Sequence, residues 1–114
     1  MKRGTTNPEL KKLVIELKNT KKEIWKKVAE KLEKPARNKE GVNLWKINKY
    51  TKEGETVVVP GKVLSIGELE HNVNIAAYDF SDKAKDKIKT KGKVMSISEL
   101  VKENPKGSKV KIMV

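Results

Sequence analysis

Cysteine is absent from this sequence, so disulfides, thiolate-bound zinc and a cysteine nucleophile are all excluded. The absence fits a reducing compartment. The one histidine, His71, would need carboxylates alone beside it to hold a metal. Aromatic residues make up only 4% of the chain, and none is paired in a ribonucleoprotein-type stacking motif. No apolar run approaches the ~18 residues that a membrane span needs. The N-terminal stretch MKRGTTNPEL begins with cations but has no hydrophobic segment behind it, so no signal peptide is expected.

Lysine is what the chain has in excess. Lys and Arg number 27 against 15 acidic residues, a formal net charge of +12. Such a balance repels itself unless an anionic partner neutralises it. Only Arg3 and Arg37 are arginine. Lysine meets phosphate as a point charge, whereas arginine forks onto guanine edges. The composition therefore favours binding a nucleic-acid backbone over reading its sequence. A length of 114 residues predicts one domain. Hydrophobic residues are only 36% of the total, so its modest core has to be built from Val, Ile and Leu.

Residues 1–6 read as a flexible basic arm. Residues 7–114 read as one domain, with a helical part over 7–33 and a mixed strand and helix body over 42–114. Asn7 and Pro8 open a helix whose apolar face is Leu10, Leu13, Val14 and Leu17. A second helix presents Ile24, Trp25, Val28 and Leu32 and ends before Pro35. Residues 42–44 read as a short strand. Residues 46–51 read as a short helix with Ile47 and Tyr50 facing inward. Residues 56–59 form a β-branched, buried strand, and Pro60-Gly61 signals a turn. Residues 62–66 are extended and 72–78 are a strand. Ser81 caps a helix to about Lys89, Val94-Met95 is a strand, and Ser96 or Ser98 caps the last helix. Residues 109–113 close the chain as a strand.

A faint repeat runs through the body. Gly41-Val42, a helix, Gly54 and Val57 to Val59 parallel Gly92, Val94, a helix, Gly107 and Val110 to Ile112. Strands alternating with helices predict an α/β fold with some parallel pairing.

Two segments suit phosphate and sugar contacts. Residues 34–41 hold Lys34, Pro35, Arg37, Asn38, Lys39 and Gly41, followed by Asn43 within a short apolar strand and then by Lys46. The amide of Asn43 needs partners there, which RNA or a local cap would supply. Residues 60–67 place Gly61 beside Lys62, with Ser65 and Gly67 following. Glycine beside lysine lets backbone approach a phosphate, and the spacing is not that of a Walker loop. Each segment also reads as an ordinary polar turn. His71 reads as an exposed turn histidine that touches RNA at most. Asp79, Asp82 and Asp86 invite a metal-hydrolase reading, but carboxylates in a first helical turn offset the dipole and pair with neighbouring lysines. Trp25 belongs to the core. Trp45 reads as packing against the fold, with base stacking as the alternative.

The runs Leu32-Glu33-Lys34-Pro35, Arg37, Val42-Asn43-Leu44, Lys46-Ile47, TVVVPGKVL from Thr56 and Asn104-Pro105-Lys106-Gly107-Ser108 resemble one family. It is the archaeal and eukaryotic large-subunit ribosomal protein family L eighteen e, kin to the bacterial ribosomal protein L fifteen. The family's paired arginines after proline correspond here to Ala36-Arg37, with Lys34 or Lys39 as the substitute cation. Glycine is frequent in the family where Ser65 stands, and a small residue where Trp45 stands. The resemblance implies irregular strand-strand-helix turns wound as a superhelix behind the helical part. It also implies a structural, non-enzymatic constituent of the large ribosomal subunit in the cytoplasm. Such a protein would contact ribosomal RNA and neighbouring large-subunit proteins, with no membrane, cofactor, metal or small-molecule substrate. The residues expected at RNA are Lys2, Arg3, Lys34, Arg37, Asn38, Lys39, Asn43, Lys46, Gly61, Lys62, Ser65, Gly67 and His71. A free-standing basic nucleic-acid-binding protein is the alternative. A small hydrolase using the aspartates and His71 is the third reading.

Overall fold

The structure is a computed structural model that describes residues 8–33 and 41–114. Helices α1 (Pro8–Asn19) and α2 (Glu23–Leu32) come first. There follow β1 (Val42–Asn43), α3 (Leu44–Tyr50), β2 (Glu55–Leu64), β3 (Val73–Phe80), α4 (Asp82–Lys89), β4 (Gly92–Ser96), α5 (Ile97–Glu103) and β5 (Val110–Ile112). The expected α/β class is what forms. The arm 1–6, the capping Asn7 and the expected RNA-binding Lys2, Arg3, Lys34, Arg37, Asn38 and Lys39 lie outside the described residues.

The strands make one sheet in the order β1-β2-β3-β4, with β5 also paired to β2. Every pairing is parallel. Residues Thr56 to Val58 of β2 bond β3 on one edge, so β5 takes the other edge, which β1 joins further along. Crossovers between parallel strands nearly always take one hand. Connections that step from β1 to β4 therefore cover one face, and the reversed step to β5 covers the other. The packing agrees. Leu44 and Ile47 of α3, Leu69 of the β2–β3 connection and Ala84 and Ile88 of α4 share one core with Val57, Val59 and Ile75. Residues Ile97, Leu100 and Val101 of α5 share the opposite core with Val58, Ala76 and the apolar stripes of α1 and α2. Successive valines of β2 are thus buried on both faces, as parallel sheets require.

The N-terminal helices are tied in at their far side. The Trp25 indole is fully buried and donates from Nε1 to the Pro105 carbonyl at 2.9 Å. The Ser98 hydroxyl donates to Glu16 at 3.0 Å. The repeat is only partial. Gly54 and Gly107 do share positive φ, 82° and 68°. However, β1 pairs with β2 across its helix, whereas β5 crosses the sheet to β2 instead of pairing with β4.

Two local readings change, and one open choice is decided. The Pro60-Gly61 pair is not a turn: β2 runs straight through it, and both residues are buried. Three residue steps of β2, from Val59 to Lys62, span two of β3, from Ala77 to Asp79. This irregularity is where a strand tolerates a residue without an N–H. Helix α3 begins at Leu44, earlier than expected, so Ile47 faces inward but Tyr50 is 53% exposed. Ser96 rather than Ser98 caps α5. Its hydroxyl accepts from Glu99 N–H at 3.1 Å while the Glu99 carboxylate accepts from Ser96 N–H at 2.8 Å.

The Ser96 main-chain N–H holds the Glu99 carboxyl below its ordinary value. Stability gained this way is complete above the unfolded-state value and is lost as pH falls through the lowered folded-state one. Glu99→Gln removes the titration. Wild type is expected to exceed this variant in stability at neutral pH and to lose that margin in acid. Urea denaturation across a pH series checks this, and a margin constant with pH would contradict it.

Candidate nucleic-acid interface

Strands β2 and β3 are parallel neighbours, so the chain must return along the full length of β2 before it can start β3. Nine residue steps of strand cover about 30 Å at the usual rise. The return from Leu64 to Val73 also has nine steps, which reach at most about 32 Å. No helix fits in so taut a connection. Residues 65–72 therefore form an extended strap whose polar groups need partners outside itself.

Helix α3 and its flanks supply them. Ile66 N–H donates to Asn43 Oδ1 at 3.3 Å, and Trp45 N–H donates to the Ile66 carbonyl at 3.0 Å. Glu70 N–H donates to Asn48 Oδ1 at 2.8 Å, and Asn48 Nδ2 returns a bond to the Glu70 carboxylate at 3.1 Å. Asn72 closes the run, donating to Glu53 at 3.1 Å and accepting from Gly54 N–H at 2.7 Å. From α4, Lys87 Nζ donates to the Ser65 and Gly67 carbonyls, each at 2.9 Å, and pairs with Glu68 at 2.9 Å. Gly67 has φ +101°, and a β-carbon there would sit 2.5 Å from the Trp45 nitrogen, so only glycine allows this approach.

The sheet end at this strap gathers part of the expected site. Val42 aligns with Val63 and Asn43 with Leu64, which brings Gly41 and Asn43 beside Lys62, Ser65 and Gly67. The Lys62 side chain is exposed and has no ion pair or hydrogen bond among the described residues. Asn43 lies at the start of α3 without capping it; its oxygen holds Ile66 N–H instead. The other expected residues depart from this group. Gly61 is buried in the bulge and offers no backbone to a ligand. Lys46 Nζ donates to the Val114 main-chain oxygen beyond β5. His71 sits near the far end of the strap, only partly exposed, with Nε2 2.8 Å from Thr51 Oγ1. The Thr51 hydroxyl proton is spent on the Ile47 carbonyl at 2.6 Å, so Nε2 is the donor.

Two features escape sequence reasoning. Trp45 is 50% exposed, not packed inward, and exposed Ile66 lies against its backbone. The signal is there in the spacing: Leu44 and Ile47 are three apart, which turns Trp45 outward once the helix starts at Leu44. The aspartate reading also needs correction. Asp82 does occupy the first turn of α4, but neither it nor Asp86 pairs with Lys83, Lys85 or Lys87. Exposed ion pairs gain little, and Lys87 is drawn instead to two carbonyls and Glu68.

The ion pairs among the described residues are Lys18–Glu33, Lys87–Glu68, Lys93–Glu103 and Lys111–Glu55. Most of the described lysines therefore have no ion-pair partner among the described residues. No group of three His, Cys, Asp or Glu side chains among the described residues is placed to hold a metal ion. No helix among them is long and apolar enough to cross a membrane.

Residues 19–96 match the family model that describes the ribosomal proteins 50S-L15 and 50S-L18e and their 60S counterpart, L twenty-seven A. The chain belongs to this ribosomal protein family. It is 51% identical to the large ribosomal subunit protein eL18 of Methanoregula boonei, an alignment covering 95% of this chain and 93% of that protein. It is 49% identical to the eL18 of Methanococcus maripaludis, over 96% and 95%. With the eL18 of Sulfurisphaera tokodaii the identity is 48%, over 96% and 94%. The segment that matches the ribosomal family model includes β1, α3, the strap and α4, hence the whole sheet end described above.

Lys87→Met should test the strap in this ribosomal protein. It leaves the Ser65 and Gly67 carbonyls without their cation and is expected to cost about 1.5–3 kcal/mol. Amide exchange at Trp45 and Ile66 should quicken more than exchange in β3. Unchanged exchange at both amides would show that α3 alone holds the strap.

Proposed function

We propose that this protein is a structural, non-enzymatic constituent of the large ribosomal subunit that binds ribosomal RNA mainly through the RNA backbone. It would act on the cytoplasmic ribosome beside neighbouring large-subunit proteins, without cofactor or small-molecule substrate. The observation that carries the reading is a lysine-rich surface with few ion pairs among the described residues, on a chain of net charge +12. Family membership supplies the setting, since the relatives are themselves named as large-subunit proteins. The sheet end at Asn43, Lys62, Ser65 and Gly67 is the proposed RNA-facing part. Lys34, Arg37, Asn38 and Lys39 precede it in the chain, and Lys2 and Arg3 add cations from the arm over 1–6. Lys46, Gly61 and His71 belong to the expected set as well but stand apart from this sheet-end group.

If roughly 6–10 cations meet phosphates, affinity for RNA should fall about 10³- to 10⁵-fold between 50 and 200 mM salt. A binding curve that stays flat over that range would defeat the proposal. Retention on large subunits after a high-salt wash supports the ribosomal reading. Salt-labile binding to any duplex, without such retention, supports the free-standing alternative.

Replacing Arg37 and Lys39 together should weaken RNA binding and lower the salt slope by about two, one for each phosphate left without its cation. Replacing Lys83 and Lys85 on α4 should do less. Equal losses for the two pairs, measured by filter binding over a salt series, would place RNA on the α4 side as well.

A further inference from the structure

We infer that Trp45 and Ile66 form a stacking site for an unpaired RNA base, an inference that rests on the RNA-binding reading above. Both side chains are large, apolar and exposed, at 50% and 65%. They are neighbours through the Trp45 N–H to Ile66 carbonyl bond at 3.0 Å. The next residue, Gly67, packs closely on the same Trp45 backbone, and only glycine can approach the Trp45 nitrogen so closely. A ring on so fixed a base loses little freedom when something stacks on it.

The charges around the pair select the occupant. Lys49 lies one helical turn beyond Trp45 on the exposed side of α3, with Nζ 5.5 Å from the Tyr50 ring centre. Lys62 is exposed at the adjoining end of β2. Asn43 commits its oxygen to Ile66 N–H, while its Nδ2 has no protein partner among the described residues. The centre of a protein–protein interface is depleted of charge, lysine included. An aromatic face flanked by lysines suits a nucleotide instead, the base on the ring and the phosphates on the cations.

The test uses the full chain and two RNAs of equal length, a single-stranded oligomer and its abasic counterpart. Affinities come from fluorescence anisotropy over a salt series. Trp45→Ala is expected to lose about tenfold or more on the oligomer with bases and almost nothing on the abasic one, at unchanged salt slope. Trp45→Phe should keep most of the affinity, and Lys62→Ala should weaken both RNAs and lower the salt slope by about one. The indole is half exposed, so circular dichroism should find the alanine variant folded. Equal affinity of Trp45→Ala and wild type for the oligomer with bases would overturn the stacking site while leaving phosphate binding intact. Impaired entry into large subunits at unchanged RNA affinity would assign the patch to a protein neighbour and overturn it too. If wild type binds neither RNA, the RNA-binding reading itself falls and takes the stacking site with it.

Discussion

The rest of the structure depends on joining two parallel neighbours, β2 and β3, by a connection too short to hold a helix. Parallel strands usually return through a dozen or more residues with a helix among them. Here residues 65–72 must make the same journey nearly straight. A straight segment off the sheet has no internal partners for its N–H and C=O groups, and unpaired buried groups are costly. The fold answers with side chains: Asn43 and Asn48 from the β1–α3 segment, Glu53 from the turn after it, and Lys87 from α4. Leu69 turns the strap's one apolar contribution into the core. The position of α3 against the sheet, the glycine at residue 67 and the burial of Thr51 all follow from that arrangement.

The same constraint shapes the surface. Polar residues that look free in the sequence, such as Asn43, Asn48 and Lys87, are spent on the strap. Among the described residues, what remains available at that end of the sheet is Lys62 and the outward side of α3. Under the proposed reading, such a rigid, lysine-bearing edge would bind phosphate without having to be ordered first, which limits the entropy lost on association. Backbone binding of this kind asks for charge and shape, not for a base code. The near absence of arginine is consistent with that demand.

Local signals in the sequence are legible and long-range ones are not. The stripes of α1 and α2 depend only on helical spacing, and Leu10, Val14, Leu17, Trp25, Val28 and Leu32 are all buried. The cap expected at Ser81 forms, accepting from Ala84 N–H. Pro60-Gly61 misleads because its dipeptide preference is a turn, while pairing of Val63 with both Val42 and Phe80 keeps the strand going. For the candidate site, the need of Asn43 for a partner is legible, but its partner Ile66 stands 23 residues away. Lys87 and Ser65 are 22 apart, and no local pattern announces that bond. The family is legible because several short motifs occur in order, a signal that does not depend on knowing the contacts.

The most direct test of the account is a density map of the large ribosomal subunit that contains this protein. RNA backbone is expected against the sheet end formed by Gly41, Asn43, Lys62 and residues 65–67, with the outer face of α4 turned away from RNA. A map with that sheet end in solvent and RNA packed along α4 would contradict it.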